Sequence, residues 1–546
     1  MAMGEIKRVL LLYTDPYYLV KQVYPYGLDL LATRLRQEGI EVRIEYAFLP
    51  SADPAANLSR TAAEYCPDLV GLGIRNIDTC MACEDFGDVS GEGYRSFFFL
   101  PMIRAAADAV REVLPGVPII CGGGGFTVAP RQLLDYLDVG FGVAGEGEAV
   151  LSSFVQAWPD QERIAQIPGL VIRSERRFTE NPRGKFAFPR LPMPARDPGF
   201  RHAYESMGLP VRVKRGCNQA CNFCVEPLIE GRTFIYRDIP DVIQELRTAA
   251  SMDGVTKVFF VDTEFNVPDL DYATSLVQGL LTEGLHSRFR FASQFLPRPF
   301  TKDFALLLAK AGFSVILTCT SFADEVLDAS GVSYRETDIV NALALCAEHG
   351  IDATVDLIFG LPGETWETVD HSIRRMNDLP ATSLRRYEYT VGARVYPGTP
   401  LARRIAEDGG RNVYGNPTPE LLELCFYCVP APPLELKGYV DARVPSPMRF
   451  DNELSESLRA RLAVGYLADH GRYVEAYEEF LSLSLPDKSA VFDYFFRLLA
   501  NSGHAGTACL AAENLRQVID ESDSPAFRDQ AGVIDYYLAI LRRAGF

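Results

Sequence analysis

No stretch of this 546-residue sequence stays apolar over the roughly 20 residues that a bilayer-spanning helix needs, which excludes a helical membrane protein and makes a membrane an unexpected partner. No cluster of Lys and Arg stands out, and 72 acidic residues outnumber 54 basic ones to leave a formal charge of -18. Nucleic acid is therefore not an expected partner either, because phosphate binding rests on clustered cations. The opening residues, Met1 to Lys7, run straight into the apolar Val9 to Tyr13 without the n-region, h-region and cleavage site of a secretory signal, which reads as cytoplasmic. Histidine is scarce: the six are His202, His286, His349, His371, His470 and His504, so the first 201 residues hold none. Internal repeats and low-complexity tracts are absent. What remains is a soluble globular composition, 48% apolar and 23% charged, too long for one core and suited to a small-molecule or peptide substrate.

The periodicity divides the chain. Short β-rich runs alternate with helical ones from the start: strands at Arg8 to Tyr13, Glu41 to Phe48, Leu69 to Ile74, Pro118 to Cys121 and Phe141 to Val143, with helices at about Tyr26 to Gln37, Met102 to Leu114, Arg131 to Leu137 and Ala149 to Trp158. This predicts a doubly wound, Rossmann-like parallel sheet over residues 1–181. Prolines 182, 189, 192, 194 and 198 then interrupt both kinds of element, so 182–208 reads as a linker. A second α/β series follows over 209–429, with strands at Val211 to Arg215, Lys257 to Val261, Arg288 to Ser293, Ser314 to Thr318, Asp352 to Phe359 and Leu384 to Val391. Six β/α steps predict a partial barrel whose chemistry gathers at the C-terminal strand ends. Residues 430–546 read as proline-rich loops and then a helical domain, with helices at Ser457 to Asp469, Tyr473 to Leu483 and Ala511 to Ile519.

Twelve cysteines in a reducing compartment are free thiols or metal ligands rather than disulfides. Three of them, Cys217, Cys221 and Cys224, fall on one short loop after the first barrel strand, in Gly216-Cys-Asn-Gln-Ala-Cys-Asn-Phe-Cys224. Three thiolates satisfy three irons of a cubane and leave the fourth open to an exogenous ligand. A zinc site is the alternative, but structural zinc takes four closed ligands, often from two C-x2-C units. The 3-then-2 spacing, with Phe223 before the last cysteine, argues against it.

That loop resembles the one of the radical S-adenosylmethionine superfamily. The resemblance implies a [4Fe-4S] cluster on the three cysteines, S-adenosylmethionine on the fourth iron, reductive cleavage to a 5'-deoxyadenosyl radical, and an external electron donor such as a flavodoxin or ferredoxin. Later strand ends carry matching segments: Asp262 and Glu264 for the methionyl moiety, Ser293 and Gln294 for the ribose or carboxylate, Gly360 to Glu364 for the adenine side, and Arg394 in the segment after the sixth strand. Phe223 and Ser321 join this expected cofactor set. One departure stands at Thr318-Cys-Thr320-Ser321, where many relatives have Gly-x-Glu-Ser; the glutamate of a usual ribose contact is missing.

The first domain resembles the cobalamin-binding module of the B12-dependent radical enzymes. The first turn, Tyr13-Thr14-Asp15-Pro16-Tyr17, lacks the glycines of a dinucleotide fingerprint. Glycines at later strand ends, Gly123, Gly124 and Gly125 before Phe126, and Gly145 and Gly147 around Glu146, would let the backbone approach a large flat ligand. The resemblance implies cobalamin held by these residues with Thr14, Asp15, Arg75 and Asn76. With no histidine in the domain, none ligates the cobalt from below; Arg75 is the candidate for that face and for a catalytic role, a surface ion pair being the alternative.

Cys80 with Cys83, and Cys425 with Cys428, form two C-x2-C pairs that together make a possible second four-thiolate site, although buried cysteines more often serve as small hydrophobes. The expected activity is a cobalamin-dependent radical methyltransferase moving methyl from methylcobalamin to an unactivated carbon, or phosphorus, of a small molecule or peptide in natural-product biosynthesis. A non-methylating rearrangement or oxidation with the same cofactors is one alternative; a non-catalytic iron-sulfur electron carrier or sensor is another.

Overall fold

The computed structural model describes residues 4–16, 22–48, 54–175, 177–184, 193–252, 254–379, 384–418, 422–445, 456–522 and 527–543. Tyr17, Pro189 and Pro192 lie outside them.

The N-terminal sheet contains strands β1 (Arg8–Tyr13), β2 (Glu41–Tyr46) and β3 (Leu69–Gly73), and a small hairpin, β4 (Val89–Gly91) with β5 (Tyr94–Ser96), precedes its later strands. These are β6 (Ile119–Gly122), β7 (Phe141–Val143), β8 (Leu170–Ser174) and β9 (Arg177–Glu180). The order is β2-β1-β3-β6-β7-β8-β9, with the first five strands parallel and the last two antiparallel. The strands are apolar on both faces, as in Val9 to Leu12, because helices cover the sheet on both sides. The five expected strands are present; β8 and β9 extend the sheet through a tight turn at Glu175, whose φ of 54° no local glycine announces. The chain reverses direction across the sheet between β1 and β3. In open α/β sheets that point forms a crevice at the carboxyl ends of the strands, here marked by Thr14–Asp15 and Ile74–Asn76.

The second sheet holds six parallel strands in sequence order: β10 (Leu209–Val211), β13 (Lys257–Phe260), β14 (Arg290–Phe295), β15 (Phe313–Thr320), β16 (Ala353–Phe359) and β17 (Arg385–Val391). Its edges, β10 and β17, are not paired to each other, so the barrel is partial. The expected strand Val211 to Arg215 is corrected. Asp262 Oδ1 accepts the amides of Val213 and Lys214 at 3.0 and 2.8 Å and draws the chain off the sheet, and β11 (Lys214–Arg215) pairs instead with β12 (Ile235–Tyr236). After β17, a three-stranded sheet in the order β18-β20-β19 is built from β18 (Ala393–Arg394), β19 (Val413–Gly415) and β20 (Cys425–Tyr427).

One hydrophobic core runs through both α/β parts, and the C-terminal helices, Glu456–Asp469, Tyr473–Ser482, Leu485–Asn501, Ala505–Ser522 and Arg528–Arg543, carry a second. Within the linker, the stretch Gly199 to Tyr204 packs into the core, while Pro182 to Gly184, Met193, Ala195 and Pro198 are exposed. Phe200 is fully buried against Tyr13, Tyr24 and Tyr466, and His202 Nδ1 lies 2.6 Å from Asp469. Among the described residues no helix is long and apolar enough to cross a membrane.

Candidate functional site

The cysteine loop is fixed along its whole length. Gly216 adopts φ 99° because a Cβ there would sit 2.3 Å from the Thr233 carbonyl, and the Cys217 amide donates to Gly231 O at 2.9 Å. Asn222 donates from its backbone to Ser330 and from Nδ2 to Ala329, at 2.9 and 2.7 Å, and accepts from the Leu401 amide. Phe223 packs on an apolar cluster that includes Ala323, Val326 and Leu361. Cys217 is buried and Cys221 and Cys224 are half-buried, and all twelve cysteines are free of disulfides. Burial first, and then the proximity of Cys217, push the Cys221 thiol up to about 12, so a bound cation is what makes thiolates stable here. Among the described residues no three His, Cys, Asp or Glu side chains are set around one metal ion. A cubane takes each thiolate on a different iron, a wider spacing than the ligands of a single ion require, and the fixed loop with three mutually close thiols fits it.

The strand-end residues of the barrel divide into two groups. Glu264 is buried with Oε2 unpartnered, near Thr318 and Asp356, and burial raises its carboxyl to about 8 against the opposing hydrogen bond from Thr318 and the nearby Lys214 ammonium. Lys214 Nζ in turn donates to the carbonyls of Glu264, Phe265 (3.2 Å) and Val267 (2.6 Å), tying the loop after β13 to the base of the cysteine loop. Gln294 is half-buried on the alternate face of β14 from Ser293. Several of the expected ligand-binding residues also hold the protein's own structure. Ser293 is fully buried and donates to Phe260 O at 2.8 Å; Asp262 holds the Val213 and Lys214 amides; Gly360 at φ 94° faces Cys428, where a Cβ would lie 2.5 Å from Sγ. Arg394 is buried with its charge on Asp78, Nε to Oδ2 at 2.9 Å, and Nη1 on the carbonyls of Val395 and Cys425. Thr320 sits in a β-bulge at φ 59°, an unusual conformation for a β-branched residue, held by a 2.8 Å contact from Oγ1 to the Tyr334 hydroxyl. Ser321 Oγ accepts from the Ala323 amide at 3.1 Å and caps the turn after the bulge.

On the opposing face, Arg75 leaves the end of β3 and donates from Nη1 to buried Asp15 at 3.0 Å, yet 46% of its side chain remains accessible. It is both ion-paired and turned into the cleft. Thr14 is buried, with Oγ1 donating to Gly73 O at 3.2 Å. A Cβ on Gly123 would meet Ile74 O at 2.3 Å and one on Gly125 would meet Arg75 O at 3.0 Å, so these glycines let the helix after β6 pack on the end of β3, and Gly125 also lines the cavity between the two faces. Gly124 faces Ile229, which follows the cysteine loop. Phe126 is fully buried against Gly142, which corrects its place among ligand-contacting residues. Gly145 accommodates Arg183, and Gly147 lets Leu31 approach. Glu146 pairs with Arg215, as does Glu148 at 2.5 Å, so this loop grips the strand that leads into the cysteine loop.

A cavity of about 700 Å³, measured with its open mouth, lies between these faces. Arg75, Asn76 and Gly125 line one wall, Val225 and Ile229 come from beyond the cysteine loop, and Arg394 to Pro397 with Asn416, Thr418 and Glu423 line the other. Asp78, Tyr396, Asn416 and Glu423 were not among the expected site residues. Nothing local marks Asn416 and Glu423: they flank a polar connection past the last barrel strand, and only the pairing of β20 with β18 returns them to the cleft. Among the described residues the two C-x2-C pairs form no set of three or more ligands around one metal ion: Cys80 Sγ is 2.7 Å from the Tyr396 hydroxyl, while the Cys428 thiol, raised first by burial, lies close enough to Cys83 to be raised further. In the aromatic segment Tyr94 to Leu100, Phe97 and Phe99 belong to the core.

These elements define a radical SAM domain facing a doubly wound module: residues 211–376 match the radical SAM superfamily. Over 478 residues the chain is 29% identical to the tryptophan 2-C-methyltransferase of Streptomyces laurentii, a match covering 73% of this chain and 75% of that one. Its fold is that of the solved radical S-adenosylmethionine methyltransferase TsrM from Kitasatospora setae with tryptophan and a SAM analogue bound, with a TM-score of 0.71 at 24% identity over 86% of this chain and 99% of that one. The cobalamin-dependent radical enzyme OxsB shares it at a TM-score of 0.62 and 14% identity, over 99% of this chain and 83% of that one. The resemblance to the radical SAM superfamily holds in sequence over residues 211–376, and the fold is that of solved cobalamin-dependent radical SAM enzymes.

Proposed function

We propose that this chain is a cobalamin-dependent radical SAM methyltransferase acting on a carbon centre of a small molecule, in natural-product biosynthesis. The observation that carries this reading is a hydrogen-bonded three-thiol loop whose continuation, Val225 and Ile229, lines one cavity with Arg75 from the switch point of the N-terminal sheet, in a chain similar over most of its length to a carbon methyltransferase. Residues 1–181 would hold the corrin, 209–429 the cluster and S-adenosylmethionine, and 430–546 would brace them from outside.

When bound, the cluster, S-adenosylmethionine and cobalamin supply the electron, the methyl group and the methyl carrier. Cys217, Cys221 and Cys224 would hold three irons, leaving the fourth open. Arg75, positioned by Asp15, would help to hold cobalamin with Asn76 and Gly124 beside it, its guanidinium offering hydrogen-bond donors and no metal-ligating lone pair. Gln294 and Glu264 would face S-adenosylmethionine inside the barrel, and an external flavodoxin or ferredoxin would supply electrons.

The test is anaerobic turnover with reconstituted iron, cobalamin and S-adenosylmethionine, using tryptophan and related aromatic amines as probes. A product heavier by one CH2 supports the reading; turnover of a probe without that gain rejects it in favour of a non-methylating reaction.

A further inference from the structure

The charges in the cavity wall do not balance. Arg75 is matched by Asp15 and Arg394 by Asp78, each pair in contact at 3.0 and 2.9 Å, so neither cation leaves a net charge. Among the described residues Glu423 has no such match: its partner is the neutral amide of Asn416, Nδ2 to Oε2 at 2.5 Å. Both side chains are set by the β19–β20 hairpin. Gly415 pairs with Cys425 and takes φ 97°, where a Cβ would lie 2.2 Å from Leu424 O, and the Asn416 amide donates to that carbonyl at 2.9 Å. Asn416 Oδ1 accepts from the Thr418 amide at 3.0 Å, which fixes the direction in which Nδ2 holds the carboxylate. Beyond this pair the wall is mainly apolar, with Ile77, Val128, Val225, Ile229, Val395 and Leu422.

We infer that Glu423, oriented by Asn416, is a specificity-determining residue that reads an ammonium group on the substrate, and that the cavity takes a net cationic amine with an apolar body rather than a free zwitterionic amino acid. A zwitterion needs a donor for its carboxylate as well as an acceptor for its ammonium, and the arginines that line the cavity already answer carboxylates. An amine whose carboxylate is absent, or tied up as an amide or within a peptide, leaves the wall neutral when it binds. This inference rests on the methyltransferase reading for the reaction but not for the binding.

The experiment measures binding of three probes to the reconstituted holoenzyme by equilibrium dialysis: tryptophan amide (cation), tryptophan (zwitterion) and N-acetyltryptophan (anion). The expected order is amide, then acid, then N-acetyl compound, with the amide ahead of the acid by about fivefold to tenfold, the worth of one charge-assisted contact. Glu423→Gln is expected to erase that preference and Glu423→Asp to restore part of it, with far-ultraviolet circular dichroism unchanged because the side chain is exposed. Equal binding of amide and acid, preference for the acid, binding of none of the three, or an unchanged preference in Glu423→Gln overturns the inference. Correct binding order without methylated product counts against the methyltransferase reading alone.

Discussion

The Asp78–Arg394 pair joins the N-terminal module to the segment after the partial barrel, and its removal is the sharpest mechanical test of how the cavity is held. Both side chains are at most 5% exposed. Arg394 gives Asp78 one bond at 2.9 Å and two carbonyls bonds at 3.1 and 3.3 Å, and its guanidinium lies 5.1 Å from the Tyr396 ring centre. Arg394→Met removes the cation but leaves the buried Asp78 carboxylate, whose remaining bond is the one Oδ1 accepts from the Cys80 amide at 2.8 Å. An uncompensated buried charge of this kind costs about 3–5 kcal/mol. At a urea m-value of about 3 kcal/mol/M, the unfolding midpoint falls by about 1–1.7 M. The two tryptophans, Trp158 in the N-terminal module and Trp366 beside the partial barrel, report the transition of each part by fluorescence. Asp78→Asn keeps the acceptor for Cys80 while removing the anion, so the double variant regains much of the loss and the cycle yields a coupling energy well above 1 kcal/mol. A single-variant loss below about 1 kcal/mol, the range of an exposed pair, refutes the idea that this bond locks the two parts together.

Other consequences follow from single groups. Burial raises the Glu364 carboxyl to about 8, even though the Gly360 and Leu361 amides favour its ionised form. Against an unfolded value of about 4.3, the folded chain keeps a proton that the unfolded chain has lost, so stability falls by up to about 1.4 kcal/mol per unit as pH rises from about 4.3 to 8 and is flat beyond that for this group. Denaturation midpoints at pH 5 and pH 8 should converge in Glu364→Gln; an unchanged slope contradicts the assignment. Gly360→Ala brings a Cβ to 2.5 Å from Cys428 Sγ in left-handed backbone, and thermal melts should show a loss of about 1–3 kcal/mol, partly relieved by Cys428→Ala. Arg75→Leu should leave the cluster absorbance intact while lowering methyl transfer at least tenfold; equal turnover removes Arg75 from the chemistry.

The fold was legible where periodicity and burial agree. Strands such as Arg8–Tyr13 and Ala353–Phe359 are apolar runs between helical stretches, and both sheets place them as read. The start of the barrel was not legible, because the end of β10 is set by Asp262, a residue some 50 positions away whose carboxylate captures two amides. The cysteine spacing identified the loop because three thiols so close in sequence have few structural uses. The glycines were ambiguous for a physical reason: a requirement for no Cβ reads the same whether the neighbour is a ligand or, as at Gly123, the carbonyl of Ile74. Asn416 and Glu423 carried no signal, since their position depends on the return of β20 to β18.

The central claim is that one chain holds a three-cysteine cluster and a corrin on opposite sides of one cavity. Its most direct test is anaerobic reconstitution with iron, sulfide and cobalamin, followed by the absorption spectrum and metal content of the wild type and Cys217→Ala. The account predicts about four irons and one cobalt per wild-type chain, and a variant that loses the cluster absorbance but retains the corrin bands. A wild type that binds no cobalamin, or a Cys217→Ala chain that keeps its full iron content, contradicts it.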